Sequence, residues 1–140
     1  MGSPVGEKGR EKDEDKHEVF LTKGFYLGKY EVTQTQYETV MKGNSNGLNA
    51  TPSRFLGNPN RPVEQVSWDD TQIFLKRLNT TEQQTGSLPS GWGYVLPTES
   101  QWEYACRAGS KKVYSWGNAI SKANANYNWS GASHNGNDFK

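Results

Sequence analysis

The chain of 140 residues carries one thiol, Cys106, and two imidazoles, His17 and His134. A thiol becomes a nucleophile only where a base or a positive field holds it as thiolate. His17 lies in a run of mixed charges and His134 in a terminal stretch rich in Asn, Ser and Gly, so nothing in their spacing pairs either with Cys106. Cys106 falls one turn after Trp102 on what reads as the inner stripe of a helix, the place of a buried and unreactive thiol. The carboxyls Asp69, Asp70, Glu99 and Glu103 come in pairs, as general acid and base chemistry uses them. All four fall in first turns or on exposed faces of helices, where capping and the helix dipole account for them. Transition-metal centres need His or Cys clusters that this chain lacks. A hard cation needs only oxygen, and Asn126, Asn137 and Asp138, close to Tyr127 and Phe139, offer side-chain and carbonyl oxygens to calcium. Asn49, Asn79 and Asn128 each open an Asn-x-Ser/Thr glycosylation pattern, read here as chance in an Asn- and Thr-rich chain.

Three capped helices have to position these groups. The most strongly specified stretch runs from Tyr94 to Gly109. Tyr94, Val95 and Leu96 suit a buried strand that Pro97 must end, because proline cannot donate to a ladder. Thr98 and Gln101 form a capping box, Glu99 places charge at the positive helix end, and Trp102, Ala105 and Cys106 recur at helical spacing up to a left-handed turn at Gly109. Buried against that strand, Trp102 makes Trp102→Ala an expected loss of about 3 to 5 kcal/mol. Thr33 with Gln36 caps another helix, with Tyr37, Val40 and Met41 inward and Gly43 at its end. Ser67 caps a third with Asp70, its stripe being Phe74, Leu75 and Leu78, and Trp68 is placed to cover the helix end. Extended segments are expected at 19–22, 25–32 and 62–66. Irregular connections are expected at 44–61, through Pro52 and Pro59, and at 79–93.

Composition bounds the rest. Hydrophobic residues make up 32% of the chain and the mean hydropathy is -0.93, so the core must rest on a few large side chains, which the 12% aromatic content supplies. Fifteen Gly and six Pro point to a turn-rich, irregular fold rather than a helical bundle. A net charge of +1, with bases and acids interspersed, gives no electrostatic case for nucleic acid or an anionic membrane. No apolar run suits a transmembrane helix or a signal peptide. Residues 1–18 read as a charged flexible arm and 19–140 as the folded part.

Three stretches resemble the formylglycine-generating enzyme, or sulfatase-modifying factor, family: Gly24 to Gln34, Pro62 to Asp70, and Leu96 to Gly109. Met1 to Pro4 resembles the family's usual opening, and Tyr114 to Asn118 followed by Asn124 to Tyr127 continues the pattern. The resemblance covers nearly all of this chain and about the first half of the family's domain. It implies an α+β fold, irregular and C-type-lectin-like, with three short capped helices and short strands, incomplete in this chain. It implies oxidation of a sulfatase cysteine to formylglycine by molecular oxygen, with copper held by a cysteine pair nearer the carboxyl end of the domain than Lys140. No catalytic residue transfers to this chain, and the position of Cys106 is a disulfide or buried structural cysteine in some members. The resemblance also implies a structural calcium site that uses the Asn126 side chain and Tyr127 carbonyl, completed by Asn137 or Asp138 and the Phe139 carbonyl. A sulfatase polypeptide is the implied partner. Two other readings share the scaffold: a non-catalytic lectin-like binding module, and an oxidative enzyme similar to the sulfoxide synthases.

Overall fold

A computed structural model describes residues 1–7, 10–119, 121 and 123–124. The chain divides into two units, Gly28–Leu96 and a second made of Met1–Leu27 with Pro97–Lys140. Among the described residues three helices are present: α1 (Gln34–Met41) and α2 (Trp68–Gln84) in the first unit, and α3 (Glu99–Arg107) in the second.

Each helix begins at a reciprocal cap. Thr33 Oγ1 accepts from the Gln36 amide at 3.2 Å while Gln36 Oε1 accepts from the Thr33 amide at 2.9 Å. Ser67 with Asp70 and Thr98 with Gln101 repeat the arrangement. Two otherwise orphaned amides are satisfied at each start, so three short helices are fixed in sequence register before any packing is counted. α2 continues to Gln84, beyond the connection expected from Asn79 onward. Nothing between Asn79 and Gln84 breaks a helix, and the Thr80 hydroxyl bonds back to the Lys76 carbonyl at 2.9 Å. Gly86, at φ 71°, is the first residue that turns the chain away.

In the Gly28–Leu96 unit the core is built where α1 meets α2. Tyr37 and Met41, one turn apart on α1, and Phe74 on α2 are the buried hydrophobic residues among those described. The Tyr37 and Phe74 rings stack with centroids 5.3 Å apart and planes 13° from parallel. Val40, Leu48, Val63, Ile73 and Leu78 pack around them, partly buried. Arg77 ties the helices together from the polar side, its Nε donating to the Val40 carbonyl at 2.8 Å and Nη2 to the Lys42 carbonyl at 3.2 Å. A cation at carbonyls left open by the end of α1 satisfies both the hydrogen-bonding need and the helix dipole.

The expected strands do not form ladders among the described residues. Isolated bridges are found instead, Thr33 with Pro62, Ser3 with Asp15, and Tyr114 with Gly117. Around the first, the Val63 amide donates to the Val32 carbonyl at 2.8 Å and the Gln34 amide to the Arg61 carbonyl at 2.9 Å. The pairing stops there because Pro62 has no amide to give and α1 begins at Gln34. Tyr94 is paired by a side chain rather than a strand. Asn79 Oδ1 accepts from the Tyr94 amide at 2.7 Å and Asn79 Nδ2 donates to the Tyr94 carbonyl at 2.8 Å and the Leu75 carbonyl at 2.9 Å.

In the second unit, Ser3, Arg10, Glu14 and Asp15 make contacts that the charge of this segment did not signal. Ser3 is buried, its amide donates to the Glu14 carbonyl at 2.9 Å, and its hydroxyl donates to Glu14 Oε2 at 2.9 Å. The Arg10 guanidinium pairs with the Asp15 carboxylate and donates to the Ser3 carbonyl. Charged side chains here bond backbone and one another within the segment. α3 ends at Arg107 and its C-cap, Ala108, is itself left-handed at φ 45°, so the turn expected at Gly109 starts one residue earlier.

Candidate functional site

Where chemistry was weighed on α3, the structure reverses the burial. Trp102 is 58% exposed and Cys106 is exposed, against an expectation of both facing inward. Ser100, Glu103 and Arg107 lie at i, i+3 and i+7 and form one face of the helix, which the amino-terminal residues grip. Glu103 Oε2 accepts from the Gly2 amide at 3.1 Å, Arg107 Nη2 donates to the Gly2 carbonyl at 3.3 Å, and Arg107 Nε donates to Glu103 Oε1 at 2.8 Å. Trp102 and Cys106 fall on the other side of α3, and among the described residues of their own unit nothing buries them. Trp68, on α2, is likewise 66% exposed. The cost of Trp102→Ala within this chain is correspondingly that of a surface substitution.

The clasp shifts the acidity of Glu103. Partial burial raises its pKa, but the Gly2 amide, the Arg107 hydrogen bond and charge, and the amino-terminal ammonium together outweigh burial and hold it below its ordinary value. On α1, burial, and secondarily the charge of Asp70, push the Tyr37 hydroxyl above its ordinary value. Of the other carboxyls, Asp70 accepts from the Ser67 amide at 2.9 Å as half of its cap. Among the described residues no three His, Cys, Asp or Glu side chains gather as a metal would require. His17 Nδ1 lies 2.8 Å from the Asp15 carbonyl, so one ring nitrogen is taken up locally. The oxygen donors Asn126, Tyr127, Asn137, Asp138 and Phe139 lie outside the described residues, as does Asn128.

A concavity lies in the Gly28–Leu96 unit. It has a volume of about 320 Å³ and is bounded by Gln34, Thr35 and Glu38 of α1, by the 51–59 loop and by Val63. Hydrogen bonds from α1 hold that loop: the Thr35 amide and hydroxyl both reach the Pro59 carbonyl, at 3.1 and 3.2 Å, and Gln34 Nε2 donates to the Phe55 carbonyl at 3.1 Å. Ser53, buried in the wall, exchanges bonds with the Glu64 backbone, accepting from its amide at 3.2 Å. Glu64 Oε1 accepts from the Phe55 amide at 2.9 Å, while its buried Oε2 has no partner among the described residues. Sequence reasoning marked 44–61 as irregular but did not find this pocket. The available signal was the run of Thr, Ser, Asn and Pro, whose side chains bond backbone locally and so give a loop a fixed shape.

A family model described as the sulfatase-modifying factor enzyme 1-like domain matches residues 1–139. A chaperone protein LppX of Paenibacillus barcinonensis is 33% identical over an alignment of 156 residues that covers 83% of this chain and 53% of that protein. The formylglycine-generating enzyme of Streptomyces coelicolor is 36% identical over 70 residues, 49% of this chain and 18% of the enzyme. That of Bos taurus is 32% identical over 77 residues, 54% of this chain and 17% of the enzyme. The chain thus spans about half of the first relative and less than a fifth of the two enzymes. No solved structure matches significantly. The match reaches back to residue 1, and so takes in the segment that grips α3. By that match over nearly its full length, the chain belongs to the sulfatase-modifying factor enzyme 1-like family.

Proposed function

We propose that this chain is the amino-terminal scaffold portion of a formylglycine-generating domain, and that the complete domain oxidises a cysteine of a sulfatase polypeptide with molecular oxygen. The observation that carries the reading is the family match over residues 1–139, supported by the similarity to enzymes of that name. Copper does not fit the residues present. A soft metal of that kind needs thiolate ligands in a set, and the chain has one thiol, exposed on α3, with no His, Cys, Asp or Glu cluster around it among the described residues. No catalytic step is therefore assigned to this chain, and its role is to fold and to present surface to the remainder of the domain. The exposed Trp102 and Cys106 support that role, since a capped helix with an outward Trp has apolar area left to bury. Calcium belongs to the same reading as a structural ion held by Asn126, Tyr127, Asn137, Asp138 and Phe139.

Purified chain, incubated with a Cys-containing sulfatase peptide, copper and oxygen, is expected to leave the peptide mass unchanged, whereas a longer protein containing this chain and a cysteine pair converts it. Conversion by the chain alone would overturn the scaffold reading, and failure of the longer protein would overturn the enzymatic one. Calcium is expected to raise the thermal midpoint, and Asn126→Ala to remove the rise.

A further inference from the structure

We infer that the pocket between α1 and the 51–59 loop binds a small organic cation, a primary ammonium on an unbranched apolar stem. The argument is independent of the oxidase reading and rests on which groups in the pocket wall are still free. Pro52, Leu56, Pro59 and Val63 give it apolar sides, and its volume of about 320 Å³ falls at the lower end of the range used for small ligands. The side-chain donors in the wall are already engaged. The Gln34 carboxamide reaches the Phe55 and Pro62 carbonyls, at 3.1 and 3.4 Å, and the Thr35 hydroxyl reaches the Pro59 carbonyl at 3.2 Å. The Thr51 hydroxyl bonds to Asn49 Oδ1 at 3.3 Å, and the Ser53 hydroxyl is held by the Glu64 backbone.

An anion would therefore meet no free side-chain donor in the wall. One charged group is left, the Glu38 carboxylate, which lines the pocket and has no ion pair or side-chain hydrogen bond among the described residues. A carboxylate is acceptor-only, so it selects a donor, and apolar walls select a stem without further polar atoms. A neutral alcohol would gain the walls but little from Glu38, and a carboxylate ligand would be repelled by it. The loop's bonds to α1 keep the pocket formed before the ligand arrives, which removes an ordering cost.

The test titrates n-pentylammonium, n-pentanol and n-pentanoate into the ¹⁵N-labelled chain and follows amide shifts. Saturable shifts centred on Thr35, Ser53, Leu56 and Val63 are expected with n-pentylammonium, with dissociation in the millimolar range. Because Glu38 is exposed, its contribution is that of a surface pair, so Glu38→Gln should weaken binding about fivefold and bring n-pentylammonium level with n-pentanol. n-Pentanoate should bind least, and added salt should erode the preference for the ammonium. The inference is overturned if the three probes bind alike, if Glu38→Gln leaves the ammonium affinity unchanged, or if the shifts centre elsewhere. Leu56→Ala is a second check at an exposed wall position: loss of an apolar side should weaken n-pentylammonium and n-pentanol alike, and unchanged binding counts against the site.

Discussion

Asn79 gives the most searching test of how this structure is held, because one carboxamide stands where a strand partner was expected. Its Oδ1 accepts from the Tyr94 amide and its Nδ2 donates to the carbonyls of Tyr94 and Leu75. Three bonds at about 0.5 to 1.5 kcal/mol each set an upper range of about 1.5 to 4.5 kcal/mol. Tyr94 is 42% exposed, so water replaces part of what is lost and the lower end applies, about 1 to 2 kcal/mol. Asn79→Ala would understate this, since alanine favours the helix by about half a kcal/mol over asparagine. Asn79→Asp avoids that offset, because Asn and Asp have similar helix propensities. It keeps the acceptor for the Tyr94 amide and turns the donor into a second acceptor, set against two carbonyl oxygens. Asn79→Asp should therefore be the more damaging change at neutral pH and should recover partly below the ordinary aspartate range near pH 4, where a protonated carboxyl can donate once. Amide exchange at Tyr94 reads this locally: a loss of about 1 to 2 kcal/mol speeds exchange about 5- to 30-fold. Unchanged exchange at Tyr94 in Asn79→Ala, which removes the acceptor altogether, or no loss of stability in Asn79→Asp at pH 7, would refute the clamp. With its nitrogen committed to two carbonyls, Asn79 is also a poor acceptor for a glycan despite its sequence context.

Phe74→Ala should cost about 3 to 5 kcal/mol in a denaturant melt, since it removes one ring of the stack over Met41, and Trp102→Ala less than about 1 kcal/mol. Equal costs would mean the core is misplaced. Cys106 should react with iodoacetamide without denaturant, as an exposed thiol does, and full protection in native chain would contradict its outward placement. Glu103 titrates below its ordinary value of 4.5, so the stability it gives is present above that value and lost as pH falls through the lower folded one. The Gly2 amide resonance should report that acid step, and Glu103→Gln should abolish it. Gly2→Ala should release residues 1–18 from α3, because Gly2 has φ 83° and an added Cβ would stand 2.6 Å from the Asp15 carbonyl oxygen. Unchanged protection of the Ser3 amide in Gly2→Ala would show that this approach can relax.

The helix starts were legible because a capping box is local: a Ser or Thr with its partner three residues on is both signal and cause. The stacked pair Tyr37 and Phe74 was legible as two apolar stripes. The strands failed for the opposite reason. A run such as Tyr94 to Leu96 reports that the backbone wants a partner, not which one, and an asparagine fifteen positions earlier met part of the need. The outward Trp102 and Cys106 failed because helical spacing shows that a face is apolar without showing what lies against it. The bonds of the amino-terminal segment to α3 have no signal in its charge. Glu103 and Arg107 sit at i and i+4, which reads as a surface pair, and only the fold brings the Gly2 peptide to them.

What connects these cases is the way a chain with 32% hydrophobic residues keeps long connections in one shape. Apolar burial is non-directional, and with Tyr37, Met41 and Phe74 as the buried hydrophobic residues among those described it can fix the meeting of α1 and α2 but not the course of a loop. Side-chain bonds to backbone are directional, and they recur wherever a connection needs a fixed course. Asn44 accepts from the Asn46 and Leu48 amides and donates to the Met41 and Leu48 carbonyls, Thr35 holds Pro59, and Asn79 holds Tyr94. Each bond is small on its own, so a loop so held keeps its shape only while several act together. The same use of donors leaves the α1 pocket with apolar walls and one unengaged carboxylate, so the chemistry of the site follows from the way the loop around it is folded.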